Sequence, residues 1–137
     1  MTNLRLQKVL YFLQGFTFQR YDLPLFPDRI EAWTYGPVVP DVYAHFASFG
    51  GETIPRYRGA EQITPCVQLD KYDSAQEKQT LPEFIDSCLE LLSQYTTSQL
   101  VAKSHESRSP WALIWSGGDG KFQEIPLPSI RFYFRDV

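Results

Sequence analysis

Residues 4–20 read as one helix that is apolar on two sides, and such a helix cannot lie at the edge of a fold. Leu6, Val9, Leu10, Leu13 and Phe16 recur at helical spacing and make one broad stripe. Leu4, Tyr11 and Phe18 recur every seven residues on another side. Both flanks need cover, so the spacing predicts a central position, with Thr2 or Asn3 capping the first turn by accepting an otherwise orphaned backbone N–H. A chain opening on this helix also calls for covering groups from upstream or from a second protomer.

The later elements follow from punctuation. Pro24 and Pro27 turn the chain, and Ile30 to Trp33 reads as a short extended piece. Gly36-Pro37 redirects it. Pro40 suits the first turn of the next helix, where its missing N–H costs little. Val39, Val42, Tyr43, Phe46 and Phe49 line one face of that helix, and Gly50-Gly51 stops it. Between 52 and 79, Pro55 and Pro65 exclude a long helix, Thr53 to Tyr57 and Val67 to Leu69 are candidate extended pieces, and Ser74 to Gln79 is polar.

Thr80 with Glu83, and Thr96 with Gln99, have the spacing of capping boxes. The first opens a helix with Phe84, Ile85, Cys88, Leu92 and Tyr95 as its inward stripe; the second opens a shorter one with Leu100 and Val101. Ser109 caps a helix that starts at Pro110 and carries Trp111, Leu113, Ile114 and Trp115, ended by the turn Gly117-Gly118-Asp119-Gly120. Pro128 opens the last helix, with Ile130, Phe132, Tyr133 and Phe134 available to dock. The sum is a mainly α fold, one compact helical domain over residues 1–137, with a small β-strand pair.

Composition narrows the function. Among 137 residues, 43% are hydrophobic and 15% aromatic, which suits a packed core rather than a disordered chain. The net charge of −3 and the lack of any Lys/Arg run argue against nucleic acid as partner. Arg5 and Lys8 interrupt the apolar start, which therefore reads as neither a signal peptide nor a membrane span. Cys66 and Cys88 fit no metal or disulfide framework and predict reduced thiols in a cytoplasmic protein.

Reaction chemistry is thinly represented. His45 and His105 are the only histidines; His45 falls on the polar side of its helix, and His105 precedes a turn where an imidazole can satisfy backbone groups. Ser107 and Ser109 lie near His105, but proximity in sequence supplies neither an oriented base nor an oxyanion site. Glu31, Asp41 and Glu106 are too dispersed to predict a metal centre, with Glu31 better suited to pairing with Lys8, Arg29 or a helix terminus. The expectation is a protein without catalytic residues, metal or cofactor. Trp33, Tyr35, Trp111 and Trp115 are its candidate recognition residues, against ordinary core packing, because large rings with a polar handle anchor interfaces. Arg56, Tyr57 and Arg58 form a candidate contact loop.

Three segments, LQKVLYFLQGF, IEAWTYGPVVPDVYAHF and LVAKSHESRSPW, occur in that order. With them the chain resembles the Panacea domain family, which includes SocA-like proteins and many phage-associated ones. The resemblance implies a mainly helical fold in which Leu6, Gln7, Lys8, Tyr11 and Phe12 belong to the signature helix. Glu31, Trp33, Tyr35, Gly36, Pro37, Val38 and Tyr43 match the central motif, and Ser104-His105 with Pro110-Trp111 the later one. It also implies antitoxin action: binding a toxin encoded next door, by occlusion or by presentation to an AAA+ protease as a proteolytic adaptor. Lys8, Glu31 and His105 become its structural polar residues. Two departures stand out, the lack of the family's first helix before Thr2 and Ser107 where an acidic residue is common. A phage-associated structural or regulatory module, or a homo-oligomer, is the alternative expectation.

Overall fold

The computed structural model describes residues 1–54 and 80–135. Tyr57, Cys66, Val67 to Leu69, Ser74 to Gln79 and the loop residues Arg56 and Arg58 lie outside that set, so the expectations placed on them go unaddressed.

Helix α1, Asn3–Tyr21, is the axis of the fold. Thr2 caps it by accepting from the Arg5 amide at 3.2 Å, and Asp22 ends it in a left-handed conformation. Thirteen of its 19 residues are buried, so its predicted central position holds. The buried set exceeds the apolar stripe, because Asn3, Gln7, Lys8, Gln14 and Thr17 are enclosed as well. Burial of polar groups is tolerable only with partners, and α1 finds them in backbone. The Gln14 side chain accepts from the Leu25 and Phe26 amides at 2.7 and 3.2 Å and donates to the Phe26 carbonyl at 2.9 Å. Gln7 donates to Asn3 Oδ1 at 2.8 Å and accepts from the Val39 amide at 2.9 Å, while Asn3 donates to the Tyr43 carbonyl at 3.1 Å. These amides fasten the chain as it wraps around the helix.

Strands β1 (Ile30–Trp33), β2 (Gly36–Val38) and β3 (Glu124–Ile125) form an antiparallel sheet in the order β2-β1-β3. Trp33 pairs with Gly36 across the turn Thr34-Tyr35, and Ile30 with Ile125. The expected strand pair is thus a three-stranded sheet, and Gly36-Pro37 belongs to a strand. Gly36 has φ +114°, and a Cβ there would lie 2.7 Å from Ser104 Oγ and 2.8 Å from Lys8 Cε. Conformation and space both demand glycine.

Helix α2, Pro40–Phe46, carries proline in its first turn and runs into a 3₁₀ turn at Ala47–Phe49. Helices α3 (Leu81–Ser93), α4 (Thr97–Ser104), α5 (Pro110–Trp115) and α6 (Leu127–Arg135) complete the described elements. Thr96 and Gln99 make the full reciprocal capping box; at α3 the Thr80 hydroxyl accepts from the Glu83 amide. Ser109 caps α5 as expected, accepting from the Ala112 amide at 3.1 Å while donating to the Ser104 carbonyl at 3.0 Å. Cys88 is a buried free thiol on the inner face of α3, its proton affinity pushed up to about 11 by burial.

Helix α6 packs against the C-terminal half of α1. Phe134 meets Tyr11, Phe12 and Phe16 edge to face, at 5.5, 6.2 and 6.0 Å between ring centres. The approach is close enough that a Cβ on Gly15 would collide with the Phe134 ring.

Candidate functional site

A groove of about 740 Å³ opens beside the start of α1, between the β1–β2 turn, α2 and the approach to β3. Its walls are aromatic. Trp33 leaves the end of β1 and meets Tyr43 of α2 at 4.8 Å and Phe122 at 5.4 Å, both edge to face. The two-residue turn puts Tyr35 outside the sheet, where it is 65% exposed. Phe122 is 54% exposed and holds φ +67°, a costly conformation for a phenylalanine. Its amide donates to the Ala32 carbonyl at 2.7 Å, which fixes the ring against Trp33. Lys121 places its ammonium 5.1 Å from the same ring.

Trp33 is held from two directions. Its indole N–H donates to Glu31 Oε1 at 3.0 Å, and Arg29 pairs with the other oxygen of that carboxylate at 3.0 Å. Its carbonyl accepts from the Trp111 indole N–H at 2.7 Å. Trp111 is itself buried, stacked on His105 at 3.8 Å and on Trp115 at 5.2 Å. The ring stack thus backs the β1 strand, with Trp111 meeting the groove's edge through the Trp33 carbonyl.

The floor contains Asn3, Gln7 and Lys8. Lys8 is fully buried, and its ammonium donates to the Pro37 carbonyl at 3.0 Å, not to Glu31. Desolvation lowers its proton affinity to about 7. The open flank of Gly36 is where Lys8 Cε, Ser104 Oγ and His105 Nε2 converge. His105 Nε2 is buried without a well-formed hydrogen bond. Burial and the neighbouring Lys8 lower the proton affinity of His105, while the Tyr35 backbone pulls it back up.

This arrangement is poor equipment for acid–base or nucleophilic chemistry. Ser109 is fully engaged as a cap, and the His105 ring lies flat against an indole. Among the described residues, no three His, Cys, Asp or Glu side chains gather as a metal site would need. What the groove does offer is recessed apolar area with a few oriented polar groups, the usual makings of recognition.

The description "Antitoxin SocA-like, Panacea domain" matches residues 6–112. The chain is also 35% identical over 117 residues to Antitoxin SocA of Caulobacter vibrioides (strain NA1000 / CB15N). It belongs to the SocA-like antitoxin family, as a Panacea domain. The alignment takes in 85% of this chain and 61% of that relative, so the chain spans about three fifths of the protein it matches. No solved structure matches. Among the described residues, no helix is long and apolar enough to cross a membrane.

The matched span of the Panacea domain includes Lys8, Trp33, Tyr35, His105 and Trp111 and ends before Trp115, Lys121 and Phe122. Of the sequence-predicted recognition residues, Trp33 and Tyr35 line the groove, while Trp111 and Trp115 stand behind it. Glu31 and His105 support β1 and its turn, and Lys8 lies under the groove. Sequence reasoning missed Phe122 and Lys121, placing a turn at Gly117-Gly118-Asp119-Gly120 and assigning no role to the residues just after it. A solitary phenylalanine in the polar run Gly-Asp-Gly-Lys-Phe-Gln-Glu was the available signal.

Proposed function

We propose that this Panacea domain neutralises a protein toxin encoded beside it, in the cytoplasm, by seating part of the toxin in the groove and so covering its functional surface. The observation carrying this is the set of recessed and exposed rings at Trp33, Tyr35, Tyr43 and Phe122 around one opening. Phe132 of α6 is also exposed, but it stands alone; at the groove, exposed Tyr35 and Phe122 and half-buried Trp33 and Tyr43 gather around one opening, as interface anchors do. The family and the name of the SocA relative support a toxin as the partner. The backing of Trp33 by Glu31 and Trp111 supports a preorganised surface, which limits the entropy lost on binding.

Co-expression with the product of each adjacent gene, followed by pull-down and growth measurement, tests this. A neighbouring product that is toxic alone, copurifies with this chain and loses toxicity in its presence is the expected result. Failure of every neighbour to bind or to be neutralised contradicts it. Repeating the rescue in cells without the relevant AAA+ protease separates occlusion, which persists, from presentation for degradation, which does not.

A further inference from the structure

We propose that the groove receives an apolar segment of the toxin that carries a carboxylate, either an acidic side chain or the chain terminus, seated above Lys8. This deepens the toxin-binding reading and rests on it, since it specifies the chemistry of the bound segment. The first ground is the charge of the lining. Among the described residues it contains two lysines, Lys8 and Lys121, and no Asp or Glu, in a chain whose net charge is −3. The nearest acid on the supporting strand, Glu31, is already occupied by Arg29 and the Trp33 indole.

The second ground is the state of Lys8. An ammonium has three donors, and the hydrogen bond Lys8 makes is to a neutral carbonyl, that of Pro37. No carboxylate among the described residues pairs with it, and its proton affinity has burial as its cause with no opposing anion. Lys8 is already out of water and carries the cost of a charge without an opposing carboxylate among the described residues, a cost that a purely hydrocarbon occupant would leave in place. A carboxylate arriving with the occupant offsets that cost and draws a proton onto Lys8. The other titratable groups facing this region are His105 at the end of α4, Tyr35, Tyr43 and Lys121. None of them is a carboxylate. A single-stranded nucleic acid is the weaker occupant, because a strand needs a row of cations along its backbone as well as rings, and the described lining offers only two.

The test uses the whole chain and a defined probe, the peptide acetyl-Phe-Leu-Phe, as its free acid and as its C-terminal amide. Amide resonances of Tyr35, Val38 and Phe122 are followed by NMR during titration. The free acid should bind at least about tenfold more tightly than the amide near pH 6, as a close charge pair allows. That preference should shrink near pH 9, as Lys8 loses its proton, and should vanish in Lys8→Met. Equal affinity of acid and amide, a preference indifferent to pH, no shift at the groove with either peptide, or tighter binding of a short oligothymidylate would each overturn the proposal. Should Lys8→Met fail to fold, the wild-type pH series decides alone. Acid preference without any growth rescue sinks the toxin reading while leaving the carboxylate receptor standing; rescue without acid preference does the reverse.

Discussion

The two halves of α1 are enclosed by opposite means. Toward its C-terminal end, Phe12 and Phe16 meet Phe134 of α6 so closely that Gly15 has no room for a side chain. Toward its N-terminal end, Asn3, Gln7 and Lys8 reach for backbone groups at Tyr43, Val39 and Pro37, and the rings beyond them stay partly open. The C-terminal half is tied by Gln14 to the Leu25 and Phe26 backbone, and its aromatic face is closed by shape, which gains from excluding water. The other is closed by hydrogen bonds, which fix where the wrapping chain runs without filling the space above it. The aromatic residues are of the same kinds in both places; what differs is whether a helix lies across them.

That contrast can be broken most forcefully at Phe134. Phe134→Ala removes the ring on which the sealed half closes and should lower unfolding free energy by about 3–5 kcal/mol in urea denaturation. Gly15→Ala places a methyl into the same contact and should cost about 1–3 kcal/mol, as overpacking does. Tyr35→Ala, on the open half, should change stability by no more than about 0.5 kcal/mol, because that ring supports nothing within the fold. If Tyr35→Ala destabilised the chain as much as Phe134→Ala, the distinction between the halves would be wrong.

Acidity sharpens the comparison. Folded Lys8 holds its proton with an affinity near 7 against 10.5 for the free side chain. Between those values the unfolded chain binds more protons, so stability should climb as pH rises above 7. His105, also lowered by burial, adds to the climb as pH passes through 6.5. Cys88 and Tyr11, both raised by burial, act in the other direction once the free groups begin to ionise, near pH 9 and 10, and Cys88 trims the climb only at the top of the interval. Urea midpoints between about pH 7 and 9.5 should therefore increase in the wild type and flatten in Lys8→Met. A wild-type midpoint that falls over this interval would contradict the unpaired state assigned to Lys8.

Much of the sealed half was legible in the sequence, since apolar spacing in α1 and Ile130 and Phe134 of the terminal run specify inward faces; Phe132, expected to dock with them, is 67% exposed instead. The open half was not, for two physical reasons. Asn3 and Gln7 look like part of a solvated stripe, because they are satisfied by one another and by the Tyr43 carbonyl and Val39 amide, backbone groups that any residue carries. The pairing of β1 with β3 brings Phe122 to Trp33 from the far end of the chain, and no local pattern encodes so distant a register. Trp33 and Tyr35 stood out by aromatic density alone, which marks residues worth inspecting without saying which rings end up open and which, like Trp111, end up buried behind them.

Growth rescue by Tyr35→Ala, set beside its urea midpoint, tests the central claim most directly. A variant as stable as the wild type that no longer neutralises the neighbouring gene product, with binding weakened by about 2 kcal/mol or more, is what an open aromatic groove for the toxin predicts. Full neutralisation by an equally stable Tyr35→Ala would show that the toxin is held elsewhere.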